Sequence, residues 1–253
     1  MRGNFMTRMN MHIHSEYSWD SKMKLEDIAK ILVEHGIRYA AITDHVEFDR
    51  EDIMFVRKKF SQRDHEINEI NKQYEGKLKL LSGVEISEPD LYPEQVKTLI
   101  NVFDFDFVMG SIHDIPNLKT SKNRKYVTYL YYQRMLKMIE AGNIDVVGHL
   151  DYINKYYHGD YSDFNQVTEV LHAIKEHDQM IEVNTSAERR AGLNLFPSID
   201  KICRYKLVSD YVTIGTDAHR ENELVDNLES AEYLSEEIGL QPVIFEKRKK
   251  IVL

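Results

Sequence analysis

Asn10-Met11-His12-Ile13-His14 and the later stretch YVTIGTDAH (211–219) decide how this chain folds. Each is a short apolar or β-branched run that stops abruptly at imidazole and carboxylate side chains. Five further stretches have the same character: YAAITDH (39–45), KLLSGVE (79–85), FVMGSIH (107–113), DVVGHLD (145–151) and MIEVNTS (180–186). Between them lie segments of helical periodicity. Leu25, Ile28, Ala29 and Leu32 recur at i, i+3, i+4 and i+7, and Gly36 stands where a C-terminal glycine belongs. Met135, Met138 and Ile139 lead similarly to Gly142, and Pro93 opens a stretch carrying Val96, Leu99 and Ile100. Leu224, Leu228, Ala231, Leu234 and Ile238 line one face before Gly239. These stripes read as core packing.

Alternation of strand and helix argues for parallel βα units. The polar strand ends at positions 14, 45, 85, 113, 149, 186 and 219 are spaced as such units require, about thirty or more residues apart. Seven units, each presenting polar side chains at the strand's carboxyl end, fit a barrel better than an open sheet. In a barrel those ends share one mouth, whereas an open doubly wound sheet scatters some of them. The expected fold is α/β, a distorted (β/α)7 TIM-like barrel forming a single domain over residues 1–253. QPVIF (241–245) leaves open a short eighth strand, and EKRKK (246–250) reads as a solvated charge run.

Composition limits the chemistry. The 253 residues carry 33 Lys+Arg against 42 Asp+Glu, a formal charge of −9, so extended nucleic acid is not an expected partner. One cysteine, Cys203, excludes disulfide frameworks, Cys-rich zinc modules and iron–sulfur clusters; it reads as a packed small hydrophobe in a helix. No run is long and apolar enough to span a membrane, and the opening residues lack a secretory core, so the expectation is cytoplasmic.

Six of the eleven histidines, His12, His14, His45, His113, His149 and His219, fall at these strand ends. Carboxylates share them: Asp44, Glu85, Asp151 and Asp217, with Asp20 just beyond the first strand. In His12-Ile13-His14 the period of two puts both imidazoles on one face, and Asp217-Ala218-His219 repeats that spacing. Converging imidazoles and carboxylates without a cation would be costly to bury. So many N and O donors exceed one tetrahedral site, implying two or three metals around a bridging carboxylate, an arrangement suited to phosphoryl displacement by a bridging hydroxide. His35, His65, His158, His172 and His177 fall on helices or loops and read as surface or structural; His158 lies near enough the fifth strand's end to be an active-site loop residue.

In their order HIH, TDH, GVE, GSIH, GHLD and GTDAH, these motifs give the chain a resemblance to the polymerase-and-histidinol-phosphatase (PHP) family of metal-dependent phosphoesterases, over nearly its whole length. The resemblance implies a distorted (β/α)7 barrel with a trinuclear site. By motif, His12, His14, Glu85 and Asp217 would hold one metal, Glu85 would bridge to a second completed by His113 and His149, and Asp20, His45 and His219 would hold a third. Many members carry His where this chain has Asp20, and Asp there points to the histidinol-phosphatase branch; Zn, Fe or Mn are the expected ions. Asp114 departs from the aromatic that many histidinol phosphatases carry after the fourth-strand His. Arg189 or Arg190, following EVNTS, would bind substrate phosphate through a permanently charged fork.

The activity this implies is hydrolysis of L-histidinol phosphate, a small phosphorylated substrate, in histidine biosynthesis. Asp44 or Asp217, with His219 beside them, would assist proton transfer at the leaving group. Alternatives are a PHP phosphoesterase acting on nucleotides or oligonucleotide ends, and a non-catalytic metal-binding barrel. Oligomeric state is left open.

Overall fold

The computed structural model describes residues 9–116, 118–157 and 159–253. The strands are β1 (Met9–Ile13), β2 (Tyr39–Ile42), β3 (His45–Val46), β4 (Lys79–Ser87), β5 (Phe107–Ser111), β6 (Val146–Val147), β7 (Met180–Asn184), β8 (Tyr211–Gly215), β9 (Gln241–Glu246) and β10 (Lys249–Val252). The helices are α1 (Leu25–Glu34), α2 (Ile53–Gln73), α3 (Pro93–Val102), α4 (Arg124–Glu140), α5 (Asn154–Tyr157), α6 (Phe164–Glu176), α7 (Ala187–Ala191), α8 (Ile199–Tyr205) and α9 (Leu228–Ile238).

The strands run β1-β2-β4-β5-β6-β7-β8 in parallel, with β3 continuing the line of β2 beside β4. The Asp217 amide donates to the His12 carbonyl and the His14 amide to the Ala218 carbonyl, each at 2.9 Å, so the last parallel strand meets the first at their carboxyl ends. All seven β-type stretches read from the sequence form strands. β6 retains only two residues, with the Gly148 amide still donating to the Gly110 carbonyl at 3.0 Å just beyond it. β1, β5 and β7 are buried throughout, as expected of strands covered on both faces.

α1, α3 and α4 follow their stripes, and Gly36, Gly142 and Gly239 take the positive φ that ends a helix in the left-handed region. Three expectations need correction. Leu224 is buried but precedes α9, which starts only at Leu228. Cys203 lies on α8 and is exposed rather than packed. EKRKK is no free charge run: its middle is the turn of a β9–β10 hairpin, with Lys247 and Arg248 at positive φ.

That hairpin seals the amino end of the barrel. β9 pairs with β8 at Tyr211 and Val212, the end that β1 leaves open. The Arg248 guanidinium holds both carboxylate oxygens of Asp145 at 2.9 to 3.1 Å and donates to the Asn143 carbonyl, while the Lys247 amide donates to Asp106. No helix among the described residues is long and apolar enough to cross a membrane.

Candidate metal centre

Strand alternation delivers the first pair. His12 and His14 leave β1 on one face, both fully buried, with their Nε2 atoms 3.0 Å apart. Parallel register does the rest. Glu85 lies directly beside His45 across β3 and β4, and the ends of β5, β6 and β8 add His113, His149, Asp217 and His219. His149 and Asp217 have φ of 25° and 53°, strained backbone of the kind that concentrates at functional sites.

Three groups of ligand atoms result, each with all its atoms within 4.8 Å of one another: His12, His14 and Asp217; Glu85, His113 and His149; and His14, Asp20, His45 and His219. The structure thus brings all nine candidate metal ligands to one mouth, with His14 standing in two of the groups. Glu85 joins them. Its Oε2 lies 3.3 Å from Nε2 of both His12 and His14 and 3.2 Å from His45 Nδ1, while Oε1 lies 3.1 Å from His149 Nε2 and 3.4 Å from His113 Nε2.

The donor chemistry fits cations. His12 Nδ1 is 2.8 Å from a Glu182 oxygen, which can only accept, so the ring proton belongs on Nδ1 and Nε2 points its lone pair into the cluster. Bare imidazole nitrogens and carboxylate oxygens 3.0 to 3.4 Å apart repel one another unless a positive ion stands among them. Left to themselves, the groups compensate by shifting protons. Burial would lower the His14 pKa, but its hydrogen bonds to Asp217 and Glu85 outweigh this and raise it to about 9. Burial holds His45 at about 4. Burial also opposes ionisation of Glu85 and Asp217, yet His12 and His45 around the former and Arg190 and His12 around the latter keep both carboxyls far below the usual range.

Residues outside the sequence reading of the site complete it. Glu182 is fully buried on β7; one oxygen takes His12 and the other accepts from the His149 amide at 3.1 Å and the Asn184 amide side chain at 2.9 Å. An acidic residue inside the otherwise apolar run Met180-Ile-Glu-Val was the available signal. Glu88, at φ 52°, accepts from the His113 and Asp114 amides and so anchors the loop that carries His113. The rings of Tyr152 and His149 lie 4.6 Å apart.

Two carboxylates read as strand-end candidates are engaged elsewhere. Asp44 is fully buried, accepting from the Ser15 amide at 2.6 Å and from the hydroxyls of Ser15 and Ser18, with Arg63 Nη1 at 3.6 Å. Both its oxygens are engaged by these groups. Asp151 is tied to Lys201, the Ser198 amide and Asn154. His35, His65, His172 and His177 are exposed away from the cluster, and His158 lies outside the described residues.

Beside the cluster opens a cavity of about 600 Å³ lined by Asp20, Arg189, Arg190, His219, Arg220 and Glu223, among others. Arg190 Nη2 is 3.1 Å from both Asp217 Oδ1 and His219 Nδ1. Arg189 is more committed: its guanidinium donates to the Thr216 and Asp217 carbonyls and pairs with Asp226 and Glu223. His219 Nε2 is 2.9 Å from Asp20 Oδ2, so the substitution of Asp for His at position 20 keeps a donor atom in place.

Known proteins resemble this chain in sequence and fold. Residues 10–186 match the family model of the PHP domain. A probable histidinol-phosphatase of Clostridium acetobutylicum is 31% identical over 94% of this chain and 96% of its own length. The histidinol-phosphatase of Lactococcus lactis is 25% identical, with 85% of each chain covered. A crystal structure of the Lactococcus lactis histidinol phosphate phosphatase, in complex with zinc, L-histidinol and phosphate, superposes with a TM-score of 0.83 at 23% identity, covering 97% of this chain and 99% of that one. Ordered strand-end ligands, a parallel sheet that presents them at one mouth, and a family match across most of the chain agree: the protein belongs to the PHP domain family.

Proposed function

We propose that this chain, working as one domain, is a metal-dependent phosphomonoesterase that hydrolyses L-histidinol phosphate to L-histidinol and phosphate. The observation that carries the reading is the set of three clustered ligand groups, one of which, through Asp20 and His219, lines a cavity that also presents Arg189, Arg190 and Arg220. The names of relatives matched over most of their length support the substrate; histidine biosynthesis in the cytoplasm is the setting we propose for it. The zinc of the Lactococcus lactis structure supports zinc as one occupant, with iron and manganese also compatible with imidazole and carboxylate donors.

His12, His14, Glu85 and Asp217 would hold one ion, Glu85, His113 and His149 a second, and Asp20, His45 and His219 a third. When bound, the ions supply Lewis-acid charge to the phosphoryl oxygens and lower the pKa of water at neutral pH. The chain's own residues do the remainder. Glu182 keeps the His12 lone pair directed into the site. Arg190, and Arg189 behind it, offer fixed positive charge to the phosphate oxygens, a role for which guanidinium geometry is suited. His219 lines this cavity and is the group placed to pass a proton to the leaving alkoxide, with the ionised Asp217 carboxylate 3.5 Å from its Nδ1 to stabilise the protonated ring. The ring of Tyr152 packs against His149 and His113.

The test is steady-state kinetics on protein of measured Zn, Fe and Mn content, comparing histidinol phosphate, nucleoside monophosphates and short single-stranded DNA. Histidinol phosphate is expected to give the highest kcat/KM, and Glu85→Ala to abolish turnover. Faster turnover of a nucleotide or oligonucleotide, or near-normal activity of Glu85→Ala, overturns the reading.

A further inference from the structure

Proton accounting around Ser18 bears on the state of a ligand imidazole. Ser18 is buried, and its hydroxyl oxygen lies 3.1 Å from Asp44 Oδ1, 3.1 Å from His14 Nδ1 and 2.9 Å from the His45 amide nitrogen. A hydroxyl has one proton to give. The Asp44 carboxylate can only accept, and it already takes the Ser15 amide and hydroxyl, with the Arg63 guanidinium beside Oδ2. The Ser18 proton therefore goes to Asp44. Its oxygen is left to accept from the His45 amide and from a proton on His14 Nδ1. That places the neutral ring's proton on Nδ1 and leaves Nε2 as a lone pair, 3.3 Å from Glu85 Oε2 and 3.4 Å from Asp217 Oδ1.

We propose that Asp44, acting through Ser18 and held by Arg63, is a positioning residue that selects the metal-ligating tautomer of His14. His12 is oriented by a direct carboxylate, Glu182; His14 is oriented by a carboxylate one hydroxyl removed. Arg63 supplies the anchoring charge from the outer layer. It is fully buried on α2, donates to Asp64 and Ser82 at 2.9 to 3.0 Å, and its Nη1 has no hydrogen-bond partner among the described residues other than the Asp44 side it approaches. The proposal rests on the metal-dependent reading of the site, but not on its substrate.

The relay makes an ordering that simple packing does not. Asp44→Leu keeps the size but removes the acceptor, so the Ser18 proton turns toward His14 Nδ1 and drives the ring proton to Nε2. Ser18→Ala merely deletes the relay and leaves both tautomers open. Zinc affinity of this chain, measured by chelator competition, is expected to fall by about 10- to 100-fold in Asp44→Leu and by less in Ser18→Ala. In zinc-loaded wild type, long-range proton–nitrogen NMR is expected to find His14 protonated on Nδ1 and bound through Nε2. Wild-type affinity in Asp44→Leu, a loss in Ser18→Ala as large as in Asp44→Leu, or zinc on His14 Nδ1 overturns the proposal. If Asp44→Leu does not fold, Ser18→Ala carries the test, and unchanged zinc affinity there overturns it. A wild type that binds zinc but hydrolyses no phosphomonoester fails the phosphatase reading alone.

Discussion

Glu182 Oε1 and His12 Nδ1 lie 2.8 Å apart, both completely buried, one on β7 and the other on β1, on either side of β8. The other Glu182 oxygen accepts from the His149 amide and from Asn184. One carboxylate thus fixes ligands from two different groups. Glu182→Gln cannot satisfy all three donors: whichever way its amide turns, an N–H faces another N–H. Loss of such a supporting carboxylate typically costs about 10- to 100-fold in metal affinity or activity. The expected outcome is sub-stoichiometric metal with a matching fall in kcat; full occupancy and normal kcat would count against the role.

Gly215 shows how closely those two residues approach the backbone. A Cβ added there would collide with Glu182 Oε1 and His12 Cβ and stand 3.1 Å from the His12 amide nitrogen. All three neighbours are locked in the site, so none can yield cheaply. Gly215→Ala is expected to cost about 1 to 3 kcal/mol through overpacking, read as a lower urea midpoint of metal-free protein. Metal retention should fall with it, because the displaced side chains are the ones that aim His12.

The ligand set was legible because its information is local. Strand alternation assigns His12 and His14 to one face, and the abrupt polar ending of each run marks the carboxyl end of a parallel strand. Partners of buried groups are not local. Asp44 reads as a ligand neighbour until the fold places Ser15, Ser18 and Arg63 around it, and Arg63 comes from a helix with no motif of its own. Arg248 meets Asp145 across 103 positions, so a charge run that looks solvated is a structural clasp. Glu182 lies between these cases: its burial could be inferred, its partner could not.

The two neighbouring arginines are expected to separate in function. Arg190 faces Asp217 and His219 with one guanidinium nitrogen, whereas the fork of Arg189 is taken up by the Thr216 and Asp217 carbonyls, Asp226 and Glu223. Arg190→Met is expected to lower kcat/KM for a phosphomonoester by about 100-fold, the scale of one lost transition-state donor. Arg189→Met should act mainly on stability, lowering the denaturation midpoint with a smaller kinetic effect. Kinetics and urea titration of the two variants, made side by side, decide it; the reverse ordering would reassign the phosphate contact to Arg189.

Stability of metal-free protein should peak near the ordinary histidine pKa and fall on both sides. His14 is raised to about 9, so the stability it confers is complete below about 6.5 and is lost as pH rises through 9. His45 is lowered to about 4, so its neutral burial costs stability as pH falls from 6.5 toward 4. Metal binding displaces the His14 proton and tightens as pH rises. Thermal melts between pH 5 and 9.5 should therefore show the alkaline decline in chelator-treated protein and its disappearance with zinc. An alkaline decline of equal size in both would show that His14 does not take up metal.

The clasp at the amino end offers the control for all of these. Burial pushes the Asp145 carboxyl up, and Arg248 opposes that shift while the Val108 amide also donates to the same side chain. Arg248 is partly exposed, so solvent screening reduces the pair's worth below that of a fully buried one. Arg248→Met is expected to destabilise the fold by about 1 to 2 kcal/mol, more than an exposed pair would lose but less than a sealed one. Because β9 and β10 close the end of the barrel opposite the ligand groups, metal content and kcat should stay at wild-type values. A variant that lost metal together with stability would mean that the two ends of the barrel are coupled, since no ligand or ligand partner touches Arg248.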